Sequence, residues 1–69
     1  MAGQAMDDKQ YNLLSVLYHA SQGADTIEQY LKDAQQAGDQ ELTKYLQNVQ
    51  QQYVQLAQQG TQLLKQRLQ

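Results

Sequence analysis

The sequence predicts an all-α fold: an antiparallel two-helix hairpin that pairs with a second copy of itself into a four-helix bundle. Three observations carry the prediction. Two apolar seams run at heptad spacing, a Gly38-Asp39 break separates them, and there is no proline anywhere in the 69 residues. A flexible tail is expected over residues 1–6 and the hairpin over 7–69, with helices at 8–37 and 40–68 and a turn at 38–39.

The first helix is announced by its start signals. Asp7 followed three residues later by Gln10 has the capping-box spacing, and Met6 and Tyr11 occupy the places of a hydrophobic staple. Leu13, Leu17, Ala20, Ala24, Ile27, Leu31 and Ala34 then alternate steps of four and three, which keeps one face of a helix apolar. Gly38 can adopt the left-handed conformation that closes a helix. Asp39 can cap the next one, with Glu41 complementing the dipole in the first turn. So short a connection forces the second helix back alongside the first.

The second seam reads Leu42, Leu46, Val49, Tyr53, Leu56, Gly60 and Leu63. Lys65 and Arg67 fall in the last turn, where cations suit the helix dipole. Leu14 and Val16 on the first helix, with Tyr45, Ala57, Leu64 and Leu68 on the second, widen the stripe beyond what a two-helix contact needs. Leu13, Leu14, Leu17, Ala20, Ala24, Ile27, Leu31, Leu42, Leu46, Val49, Tyr53, Leu56 and Leu63 are therefore the expected core and dimer interface. Ala20, Ala24, Ala34 and Gly60 allow close backbone approach, or leave room for a large neighbour such as Tyr53.

Chain length points the same way. So short a domain buries a small share of its surface and needs a staple. Cysteine is absent and there is one histidine, so disulfides and a structural zinc site are excluded. Association with another copy is what is left, as a dimer or a tetramer.

The formal net charge is −2, and the five Lys and Arg are scattered, which excludes the clustered cations that nucleic-acid binding requires. The mean hydropathy of −0.79 and the lack of a long apolar run exclude a membrane span. Met-Ala-Gly-Gln-Ala-Met has neither the basic region nor the apolar core of a signal peptide, so a cytoplasmic location is expected. Glutamine supplies 17 of the residues. Interleaved with spaced Leu, Ala and Tyr, and a good helix former itself, it reads as a neutral solvated helix face.

Chemistry-bearing patterns are sparse. His19 is the sole imidazole, and metal sites of this kind want three or more convergent donors. Asp25, Glu28, Asp33, Asp39 and Glu41 fall mostly off the seams, where acid/base work is not favoured. Ser15 and Ser21 lack a His-Asp relay, and the glycines form no phosphate loop. No catalytic, cofactor or metal site is expected. Of the tyrosines, Tyr11 and Tyr18 lie toward the outer side of the first helix. With His19 they make a candidate face for an unidentified protein partner, since tyrosine is enriched at binding hot spots; packing at a core edge is the alternative.

Asn12-Leu13-Leu14, Ser21-Gln22, the stretch Tyr30 to Ala34, Gly38, Leu42 and Ala57 line up without a gap against a known hairpin. Over roughly residues 12–64 the chain resembles rubrerythrins and other ferritin-like proteins. That resemblance implies a four-helix bundle made from paired hairpins. It also implies a di-iron site held by a first-helix glutamate and a Glu-x-x-His motif on the second. The corresponding positions here are Ala20, Tyr53 and Leu56, so the resemblance extends to the scaffold and not to the iron ligands. The expected function is a non-catalytic interaction or structural module, a homodimerising hairpin without a di-iron site. Two alternatives stand beside it: a metal-binding or redox remnant of the ferritin-like family, and a self-assembling secretion or filament subunit.

Overall fold

The protein is described here by a computed structural model for residues 7–68. It consists of two α-helices, α1 (Asp8–Gln36) and α2 (Gln40–Leu68), each 29 residues long. They lie antiparallel in a single layer, giving a slab 50 Å long, 22 Å across and 11 Å thick. The expected tail at 1–6 and the Met6 half of the staple lie outside the described residues.

Both ends of α1 and the start of α2 are satisfied by the residues that mark them in the sequence. Asp7 is extended, and its carboxylate accepts a hydrogen bond from the Gln10 N–H at 2.9 Å, which occupies one of the unpaired donors of the first turn. At the far end α1 stops one residue earlier than expected, with Ala37 as its cap. Gly38 takes φ +71°. The Asp39 N–H then reaches back to the Ala34 carbonyl at 3.0 Å and the Gly38 N–H to the Gln35 carbonyl at 3.1 Å. This is the Schellman closure, which needs a left-handed residue where Gly38 stands. Asp39 next caps α2, its Oδ1 accepting from the Leu42 N–H at 3.0 Å. One glycine and one aspartate thus reverse the chain.

Between the helices the core is thin. Ala20, Ile27, Leu31, Ala34 and Leu46 are its buried hydrophobics, and Val49 and Tyr53 pack against it half-buried. The α1 seam lies where the heptads place it, with Leu13, Leu17 and Ala24 half-buried among the buried positions.

The α2 seam departs from its expected line. Leu42, Leu56 and Leu63 are exposed, while Ala57, Gly60 and Leu64 turn inward with Leu46 and Tyr53. The inward positions, Thr43, Leu46, Gln50, Tyr53, Ala57, Gly60 and Leu64, themselves alternate steps of three and four, so the contact line is a heptad seam set to one side of the leucines. The Leu42–Val49–Leu56–Leu63 row flanks that line along its whole length, and Leu42 at its start is about as exposed as Leu63 at its end. Leu14, flanking the α1 seam, is exposed as well.

Two glycines lie at the contact between the helices. A Cβ built on Gly23 would lie 2.9 Å from Cε1 of Tyr53, so the phenol ring rests where a side chain would be. Gly60 faces Leu17, whose Cδ1 would be 3.5 Å from an added Cβ. Gln50 adds a polar tie across the gap, its Nε2 donating to the Ala24 carbonyl at 3.4 Å.

Candidate interaction surface

A single layer of two helices has two broad faces, and the residues divide unequally between them. On the first face, Val16, Gly23 and Tyr30 form a heptad row along α1, and Leu42, Val49, Leu56 and Leu63 form one along α2. At the turn end Tyr30, Ala34, Leu42 and Leu46 line a common groove, which puts the two rows on the same side of the hairpin. Tyr45 stands at the edge of this face, three residues on from Leu42. Val16, Tyr30, Leu42, Tyr45, Leu56 and Leu63 are all exposed hydrophobics.

The opposite face is a mixed groove lined by Ser21, Ala24 and Asp25 of α1 and Val54, Ala57, Thr61 and Lys65 of α2. Glu28 and Lys32 continue it along α1, each one heptad beyond Ser21 and Asp25. Val54 is its one large exposed apolar side chain on α2 within the groove.

Tyr11, Tyr18 and His19 line a shallow groove on α1 shared with Leu14 and Ser15. The Tyr18 and His19 rings meet edge-on at 5.6 Å between centroids. All three side chains are open to solvent.

The positions implied for iron ligands do not form a metal site. Ala20 is buried and has no donor, Tyr53 lies over Gly23, and Leu56 points out to solvent. Among the described residues no group of three or more His, Cys, Asp or Glu is placed to hold a metal ion. Their chemistry does not fit two irons. Among the same residues no helix is long and apolar enough to cross a membrane.

Sequence reasoning missed Gly23 as a packing position. The signal was present, since Gly23 lies seven residues from both Val16 and Tyr30 on one row. It also missed the Ser21–Lys65 groove, which has no apolar periodicity to betray it.

No protein-family model matches the chain, and no curated protein or solved structure matches it either. The ferritin-like resemblance therefore rests on the residues quoted for it.

Proposed function

We propose that the chain is a non-catalytic interaction module, a helical hairpin that dimerises into a four-helix bundle of ferritin-like type without a di-iron centre. The observation that carries this reading is the exposed double row of Val16, Tyr30, Leu42, Leu56 and Leu63 on a hairpin whose own core is so small. Soluble monomers rarely leave contiguous apolar patches of this extent, and those that remain mark interfaces. Short chains without disulfides or metal gain their missing burial by association. Each broad face, two helices about 43 Å long and about 10 Å wide, spans roughly 900 Å². A stable complex buries about 800 Å² on each partner, so one face is enough.

Sedimentation equilibrium across a wide concentration range tests the proposal. A discrete species of twice the 7.9 kDa chain mass is expected. A fully helical monomer at every concentration would sink it. Open-ended growth in mass with concentration would instead favour a filament subunit.

A further inference from the structure

We infer that the second copy docks on the Val16–Tyr30/Leu42–Leu63 face with its turn at the opposite end, so that α1 lies over α1 and α2 over α2. This rests on the dimer reading above and names its surface and orientation. The choice of face follows from charge. In a two-fold interface the same patch serves both chains, and a charge in its middle would be buried without a partner of its own. The first face keeps its centre uncharged. The opposite face carries Asp25 and Lys65 in its groove, with Glu28 and Lys32 on the continuation along α1.

Orientation follows from the charges at the ends of that face. Lys9 begins the row that continues through Val16, Gly23 and Tyr30. Arg67 extends the line of Leu63 by one turn. Both cations lie at the open end of the hairpin. The turn end is acidic: Asp33 and Asp39 line its groove, and Glu41 stands one turn before Tyr45. Docking turn to turn would stack the carboxylates of the two copies. Docking turn to open end sets Lys9 near Asp33 of the second copy and Arg67 near its Glu41, because each pair is about equally far from the helix centres.

The same symmetry evens the packing. Tyr45 and Leu63 each lie nine residues from the middle of α2, so each tyrosine meets a leucine of the second copy. Turn-to-turn docking would crowd four tyrosines, Tyr30 and Tyr45 from each chain, at one end.

Two variants and a cross-link test the inference. Leu56 and Val54 are both exposed on the hairpin but on opposite faces, so an aspartate at either leaves the single hairpin folded, as circular dichroism would verify. Leu56→Asp is expected to halve the sedimentation mass at micromolar concentration and Val54→Asp to leave it at the dimer value. The reverse result overturns the face while leaving dimerisation intact; a monomeric wild type overturns the dimer itself. Cysteine is absent from the chain, so orientation can be read by disulfides between separately labelled copies. Tyr45→Cys mixed with Leu63→Cys should cross-link between chains. Cross-linking of Tyr45→Cys with Tyr30→Cys on a second chain instead would establish turn-to-turn docking and overturn the orientation.

Discussion

Gly60 and Gly23 are both interior helix glycines, yet their replacement by alanine should move stability in opposite directions. An alanine in a helix interior is worth about 1 kcal/mol over glycine. At Gly60 that gain is unopposed, because the new Cβ would meet Leu17 at 3.5 Å, an ordinary van der Waals distance. At Gly23 the Cβ would sit 2.9 Å from Cε1, 3.0 Å from Cζ and 3.1 Å from Cδ1 of Tyr53. Three atoms of one ring are too close together, so the ring as a whole must move off the core. Overpacking of that kind costs about 1–3 kcal/mol, against the propensity gain of about 1 kcal/mol. Gly60→Ala is therefore expected to raise the melting temperature by about 4–8 °C in a chain of this size. Gly23→Ala is expected to lower stability by about 1 kcal/mol, the balance of the two terms. The assay is thermal and urea unfolding followed by circular dichroism at one fixed protein concentration, since association makes the midpoint concentration-dependent. In a Tyr53→Leu background the Gly23→Ala change should become stabilising. If Gly23→Ala stabilises the wild-type chain as much as Gly60→Ala does, the ring is not seated on Gly23 and the packing argument fails.

Three further outcomes are expected. Gly38→Ala should cost about 1–2 kcal/mol in urea unfolding, because the φ of +71° holds any residue with a Cβ in the left-handed region. Leu46→Ala should cost about 2–5 kcal/mol in the same assay, since Leu46 is the buried leucine that α2 brings to the core. Arg67→Glu should weaken the dimer a few-fold in sedimentation, and adding Glu41→Arg should restore it; exposed pairs of this kind couple by about 0.2–1 kcal/mol. Weakening that Glu41→Arg fails to relieve would count against the antiparallel register.

The legible part of the fold was the part set by local chemistry. Asp7, Gly38 and Asp39 act through hydrogen bonds to residues three to five positions away, so their roles can be read from spacing alone. The α1 seam was equally legible, because its small and large residues keep one line from Leu13 to Ala34. The α2 seam was not. Leucines at Leu42, Leu56 and Leu63 and the flanking Ala57 and Leu64 offer two adjacent rows of similar apolar character. Packing against α1 decides between them, through the seating of Tyr53 on Gly23 and of Gly60 on Leu17. The Tyr53–Gly23 contact was hidden for a related reason. It joins residues thirty positions apart, and nothing in either neighbourhood specifies the partner.

The choice of row also links the fold to the proposed association. With the leucine row on the seam, Leu56 and Leu63 would pack inside the hairpin. The small residues Ala57 and Gly60 take the seam instead, and the helices close over Gly23 and Gly60 with a tyrosine ring between them. Leu56 and Leu63 are displaced onto a broad face, where burial requires another molecule. Close packing inside the hairpin and stickiness outside it are thus two results of one choice of seam. The same geometry bears on the resemblance to ferritin-like proteins. The positions that would supply carboxylates and imidazole to a metal lie at Ala20, Tyr53 and Leu56. Here the first is a buried methyl, the second caps a glycine, and the third belongs to the exposed row. Carboxylates introduced at Tyr53 and Leu56 would therefore remove both the ring seated on Gly23 and an apolar side chain of the surface proposed to bind the second chain.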